Sequence, residues 1–113
     1  MSKPLQEPTF LILTALLEQS QHGYALLADV ERLSQGRVSL RVGTLYAALD
    51  RLTGEGLVAV ESEEVVRGRL RRTYCLTGAG ADAVAVEADR MADLARTART
   101  RLRRLRPAVG GAR

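Results

Sequence analysis

The chain has 113 residues, 46% of them hydrophobic, which suits one compact domain and leaves no room for a second independent one. Because Cys75 is the only cysteine, the chain can form neither an intramolecular disulfide nor a cysteine-based metal cluster. The absence of a disulfide fits a reducing compartment. The net charge of +4 combines a net of −4 over residues 1–66 with a net of +8 over residues 67–113, so a polyanionic partner would meet the second part.

The first residues, MSKPLQEP, contain no apolar signal core, and the apolar stretch from Phe10 to Leu17 is far too short to span a bilayer. We therefore expect a soluble, cytoplasmic protein with no membrane partner. Pro8 suits the first turn of a helix, and a first helix is predicted from about there to Glu18. Its residues are apolar on nearly every side, which predicts burial against more than one neighbour.

Two further helices follow from apolar residues at three- and four-residue spacing. The second is predicted over about 23–34 and ends before Gly36, because glycine readily takes the left-handed conformation that ends helices. The third is predicted over about 42–54, with Ser39 as a candidate for an earlier N-cap. The apolar positions of the two helices are Leu26, Leu27, Val30 and Leu33, then Leu45, Ala48, Leu49 and Leu52.

A β-hairpin is predicted next, with strands from Leu57 to Ser62 and from Arg69 to Leu76. The segment 63–68 between them holds one glycine and a Val-Val pair, which predicts a tip longer than a two-residue turn. Two strands alone are marginally stable, so the hairpin must pack on the helices.

A long last helix is predicted after Thr77, whose hydroxyl can cap its first turn. Its apolar positions alternate spacings of four and three, which is a heptad repeat. From the pattern alone, this helix either docks on its own domain or pairs with a second subunit. The seam residues are Val84, Ala88, Met91, Ala95, Ala98, Leu102 and Leu105. Beyond the helix, residues 107–113 are predicted to be a disordered tail.

The predicted fold class is α+β, mainly α with a small β-hairpin. Three helices, a hairpin and a long helix, in that order, indicate a winged helix-turn-helix over 1–76 followed by a long C-terminal helix over 77–106. In such a fold the third helix enters the major groove of double-stranded DNA, and the hairpin reaches the backbone or the minor groove.

Three stretches carry a family resemblance: HGYAL at 22–26, GTLYAALDRL at 43–52 with GLV at 56–58, and GRLRRTYCLT at 68–77 with Gly80. In this order and spacing they resemble the PadR family of transcriptional regulators, and the single helix after the wing resembles its short subgroup. The resemblance implies a homodimeric repressor that reads a pseudo-palindromic operator. It also implies that the last helix pairs with a second subunit, through the seam and against the first helix at Leu11.

The start of the third helix is a candidate DNA contact, because helix N-termini favour phosphate. Thr44 and Tyr46 are predicted to face DNA. Arg41 stands where family members often have a Ser-Pro start, and its guanidinium can bind phosphate or guanine. Tyr24 is interpreted either as a core-edge aromatic or as a phosphate contact.

The wing carries four arginines within six residues, a density that phosphates would neutralise. Strand alternation places Arg69 and Arg71 on one face and Arg72 with Tyr74 on the other. One or two of the arginines are expected to pair with the glutamates at 61, 63 and 64. The full set of candidate DNA-binding residues is Tyr24, Arg41, Thr44, Tyr46, Arg51, Arg67, Arg69 and Arg71.

Other functions receive less support. A lone His22, the lone Cys75 and scattered carboxylates form no catalytic or metal-binding signature, so no enzyme activity, cofactor or metal is predicted. RNA binding lacks a platform of exposed aromatics. The main alternative is a winged-helix protein interaction module. Some PadR-like proteins release DNA when a small molecule binds at the dimer interface, and the sequence leaves such an effector open.

Overall fold

The structure, a computed structural model, describes residues 4–109, with side chains through residue 105. The described residues form an α+β fold with a long C-terminal helix, which confirms the predicted fold class. In chain order the elements are α1 (Glu7–Glu18), β1 (Gln21–His22), α2 (Gly23–Leu33), α3 (Val42–Gly54), β2 (Val58–Val66), β3 (Arg69–Leu76) and α4 (Gly78–Val109).

The core forms where α1, α2 and α3 pack against the base of the hairpin and the start of α4. Burial of α1 on several sides confirms the expectation from its apolar sequence, since it contacts α2, α4 and β3. The largest fully buried side chains are Ile12, Leu13, Leu26, Val30, Leu45, Leu49, Leu52, Val58 and Tyr74.

Strand β1 was not predicted, because two residues are too few to show a periodicity. It pairs with β3 in an antiparallel sheet of order β1-β3-β2, with Gln21 opposite Tyr74. The buried Gln21 side chain donates from Nε2 to the Ala15 carbonyl oxygen (3.1 Å) and to Oδ2 of Asp29 (3.0 Å). These bonds join the α1–α2 connection to both helices.

The hairpin turn corrects the sequence prediction of a longer tip. Strand β2 runs to Val66, and the turn consists of Arg67 and Gly68, both with positive φ (54° and 78°). Positive φ at both central residues is typical of a type I′ turn, whose twist matches that of the flanking strands. The two valines therefore extend the strand, and a bulge between Val60 and Ser62 interrupts its pairing with β3.

Helix α4 begins as predicted, with the Thr77 hydroxyl accepting a hydrogen bond from the Gly80 N–H (3.0 Å). Near its start, buried Glu87 pairs with Arg90 and accepts a hydrogen bond from the Leu5 N–H (3.1 Å). The helix continues to Val109, so part of the predicted disordered tail is helical, and residues 110–113 lie outside the described residues. The molecule is accordingly 64 Å long in its longest dimension.

Candidate nucleic-acid interface

A cleft of about 610 Å³ separates the N-terminal end of α2 from the hairpin, here called the wing (residues 58–76). It brings together residues that lie far apart in the sequence, and five of the eight candidate DNA-binding residues line it. The lining residues are His22, Gly23, Tyr24, Tyr46, Val66, Arg67, Arg69, Leu70 and Arg71. The cleft thus brings Tyr46 of α3 and the start of α2 close to the wing arginines.

Tyr46 reaches the cleft because α2 begins with a glycine. A Cβ at Gly23 would overlap the Tyr46 hydroxyl oxygen and lie 2.6 Å from its Cζ, so only glycine leaves room for the ring. Burial, and then the neighbouring Tyr74 and Tyr24 hydroxyls, raise the pKa of Tyr46 above its ordinary value. The phenol therefore stays protonated at neutral pH and can donate a hydrogen bond to an anion.

The wing arginines divide into one paired and three unpaired guanidinium groups. Nε of Arg72 lies 2.7 Å from Oε2 of Glu63, and this hydrogen bond, followed by the influence of the Tyr74 hydroxyl, raises the pKa of Arg72. The expectation that glutamates neutralise one or two of these arginines is confirmed for Arg72. Within the part of the chain that the structure describes, no carboxylate lies within 4.0 Å of Arg67, Arg69 or Arg71.

Arg41 and Thr44 lie at the start of α3, outside the cleft lining, and both are exposed. Arg41 is the N-cap residue in extended conformation and makes no side-chain capping bond. The prediction that Ser39 caps the helix is wrong, since its hydroxyl lies 3.4 Å from Oε1 of Glu31 instead. The first N–H groups of α3 therefore have no side-chain cap.

Arg51 lies at the opposite end of α3 and does not line the cleft. Its Nη2 donates to Oγ1 of Thr9 (3.0 Å), and its Nη1 lies 3.6 Å from Oε1 of Glu55. The bond to Thr9 links α3 to α1, whereas the contact with Glu55 stays at the C-terminal end of α3. The geometry gives Arg51 a structural contact and does not bring it together with the other candidate DNA-binding residues.

Most of the predicted seam on α4 is exposed in the single chain. Ala88, Met91, Ala95, Ala98, Leu102 and Leu105 are exposed. Val84 (7% exposed) and Leu11 (9%) instead belong to the core of their own domain, because the start of α4 packs on α1. Their side chains therefore have little surface left for a partner.

Leu94, missed in the sequence analysis, is 62% exposed and joins the apolar face of α4. It lies three residues after Met91, a spacing that places both on one side of a helix. Leu70 and His22 of the cleft lie in the stretches that carry the family resemblance but were not among the candidate DNA-binding residues. Only the packing of the wing beside α2 places them together.

Comparison with known proteins decides the family. The profile of the transcriptional regulator PadR-like family matches residues 12–86. The chain belongs to the PadR-like family. The match covers α1 from Ile12 onward, α2, α3, the wing and the first turns of α4, so it includes every residue that lines the cleft.

Relatives of this PadR-like chain include the transcriptional regulator Rv3488 of Mycobacterium tuberculosis, 40% identical over 79 residues, which are 70% of this chain and 60% of the relative. The chain spans 23% to 60% of the length of the curated relatives it matches.

Among solved structures, a PadR family transcription regulator from Clostridium difficile has a TM-score of 0.71 at 21% identity, covering 86% of this chain and 99% of that one. Bacillus subtilis PadR in complex with operator DNA has a TM-score of 0.63 at 20% identity, covering 71% of this chain and 46% of that one. At these identities the likeness shows the shared fold. No helix among the described residues is long and apolar enough to cross a membrane.

Proposed function

We propose that this PadR-like protein is a repressor that binds a pseudo-palindromic operator as a homodimer. The observation that carries the proposal is the cleft, where Arg67, Arg69 and Arg71 face the start of α2 without a carboxylate partner in the described chain. Three unneutralised guanidinium groups beside two tyrosine hydroxyls form a cationic, donor-rich surface. Such a surface suits the phosphate oxygens of a DNA backbone.

The proposed orientation of the protein on DNA follows from the positions of its unpaired hydrogen-bond donors. The exposed face of α3 enters the major groove, with Arg41 and Thr44 at the uncapped N-terminus of the helix close to phosphate or guanine. The wing then lies along the adjoining backbone through its unpaired arginines. Tyr24, 65% exposed at the start of α2, donates to a phosphate at the same edge.

Dimerisation through α4 is the second part of the proposal. The exposed residues Met91, Leu94, Leu102 and Leu105 lie on one side of a helix of 32 residues, which is about 48 Å long at 1.5 Å per residue. Alanines between them let two backbones approach closely. A symmetric pair would present two α3 helices about 34 Å apart, one turn of DNA, to a pseudo-palindrome.

The test is an anisotropy titration of the full chain with DNA from upstream of its own and neighbouring genes, at several salt concentrations. Sequence-selective binding is expected, and Arg69→Ala or Arg71→Ala should each lower the salt slope by about one unit and weaken binding to all sequences. Arg96→Ala is the matched control, because Arg96 pairs with Asp93 on α4.

Two results would refute the proposal: indifference to sequence in every promoter fragment, or sedimentation of the protein as single subunits only. Repression itself is tested with a reporter gene placed behind the bound fragment, whose expression should rise when Arg69 is replaced by alanine. A small-molecule effector at the dimer interface stays a prediction. It would be recognised as a compound that lowers operator affinity in the same titration and contacts α4.

A protein interaction module is the second candidate function, favoured by one observation. Val65 (71% exposed) and Leu70 (57% exposed) are cross-strand partners at the end of the wing, and phosphate contacts do not require an apolar pair there. If wing arginine substitutions left DNA binding unchanged while Leu70→Ser abolished capture of a defined partner, this function would replace the first.

A further inference from the structure

Asp50 is a carboxylate on the face of α3 that the proposed function turns toward DNA. It is exposed, and no cationic group lies within 4.0 Å of it among the residues whose side chains are described. The opposite face of the helix carries Leu45, Leu49 and Leu52, all fully buried. DNA phosphates repel a carboxylate, so an acidic side chain on this face weakens the general electrostatic attraction to DNA. A specific contact with a base would compensate for this cost.

Gly43 lies two turns before Asp50 on the same face, since seven residues complete almost two helical turns. Its φ is not positive, and a Cβ built there would meet no described atom within 4 Å. Glycine is a poorer helix former than alanine. No contact within the described chain therefore explains a glycine at the second position of α3, whereas close approach of an outside surface would.

We propose that Asp50 is a specificity-determining residue of the DNA interface: it accepts a hydrogen bond from the exocyclic amino group of a cytosine, and Gly43 allows α3 to come close enough. In the major groove, cytosine presents the N4 amino donor, which suits a carboxylate. Adenine also presents an amino group, but beside the N7 acceptor, which repels a second negative oxygen. The inference rests on the proposed function and adds a base preference to it.

The experiment selects binding sites from a randomised DNA pool with the full-length protein and with Asp50→Asn. The wild-type protein should require cytosine at one position of each half-site. Asp50→Asn should lose that requirement or shift it to adenine, because an amide can both donate to N7 and accept from N6. On a fixed operator, the ratio of specific to non-specific affinity should fall by about 5- to 10-fold in the variant, since one base contact is lost.

Asp89→Asn is the charge-matched control, because Asp89 is exposed on α4 and has no ion pair among the described residues. It should keep the wild-type base preference. Identical preferences for the wild-type protein and Asp50→Asn would overturn the inference while leaving the proposed function intact. Failure of the wild-type protein to select any sequence would instead refute the proposed function.

The role of Gly43 is tested by Gly43→Ala against Gly54→Ala, since Gly54 also lies in α3 with open space around its Cα. Both variants should melt at or above the wild-type temperature because alanine favours helix. Only Gly43→Ala should weaken operator binding, by tenfold or more. Unchanged affinity in Gly43→Ala, or an equal loss in both variants, would contradict close approach at this residue.

Discussion

Replacing Gly80 with alanine should destabilise the fold, because the start of α4 packs directly on the backbone at the base of the wing. A Cβ at this buried position would overlap the Leu57 carbonyl oxygen, lie 3.1 Å from the carbonyl carbon and lie 2.6 Å from Cδ1 of Leu76. Helix α4 cannot easily move away from Leu57 to relieve this overlap, because Thr77 anchors its start. The Thr77 N–H donates to the same carbonyl (3.1 Å), and the Thr77 hydroxyl donates to the Gly56 carbonyl oxygen (2.7 Å).

The magnitude follows from these contacts. Overpacking a well-packed site costs about 1–3 kcal/mol, and collision with backbone places Gly80→Ala at the upper end. Relief by moving α4 would break one or both bonds from Thr77, at about 1 kcal/mol each. We therefore expect a loss of about 3 kcal/mol in the free energy of unfolding. At about 4 °C per kcal/mol for a domain of this size, the melting temperature should fall by about 12 °C.

The assay is thermal unfolding followed by far-ultraviolet circular dichroism, at one protein concentration because dimerisation would shift the melting temperature. Gly78→Ala is the matched control: it lies two residues earlier in the same turn of α4, and a Cβ there would meet nothing described within 4 Å. It should leave stability unchanged or raise it by up to about 1 kcal/mol. Equal melting temperatures for the two variants would refute the reasoning from close packing at Gly80.

Three further predictions concern other parts of the fold. Thr77→Ala removes the cap of α4 and should lower the free energy of unfolding by about 1 kcal/mol, measured by urea titration, whereas Thr77→Ser should restore it. The hydrogen bond from Arg90, and then one from a backbone N–H, lower the pKa of Glu87. Because its folded pKa lies below the unfolded one, Glu87 contributes stability above the unfolded pKa and loses it as the pH falls through the folded pKa. The acid side of a melting-temperature profile should therefore be flatter in Glu87→Gln, and parallel profiles would contradict this. Arg67 has a positive φ that asparagine adopts more readily, so Arg67→Asn should raise stability by about 1 kcal/mol while weakening DNA binding; a variant that binds as well as the wild-type protein would remove Arg67 from the interface.

The helices and the second wing strand could be read from local patterns. Apolar spacing placed α2 and α3 within one residue of their observed ends, and the β3 limits agree at Arg69 and Leu76. The wing turn could not be predicted from local patterns, because arginine rarely adopts the left-handed conformation that Arg67 has here. Its φ is tolerated once Val65 and Val66 are paired with β3. Strand β1 likewise exists only because β3 offers it an edge.

The candidate interface was predicted residue by residue but not as a shape. Tyr24, Tyr46 and the wing arginines were chosen for their chemistry, and the structure brings five of the candidates into one cleft. Arg51 belonged to the same set of candidates and instead contacts Thr9 and Glu55. Guanidinium chemistry is identical in both cases, so only the position of each arginine relative to other elements separates a free cation from a paired one.

The amino-acid sequence by itself determined the helical periods, the glycine and threonine positions that begin and end elements, and the charge asymmetry that favours a polyanion. These depend on interactions between residues a few positions apart. The tertiary structure alone decided that Gly23 makes room for Tyr46, that Leu11 and Val84 lie within their own domain, and that Arg72 is neutralised by Glu63. Such contacts join residues distant in the chain, and their geometry is set by how the wing and α4 pack on the three-helix core.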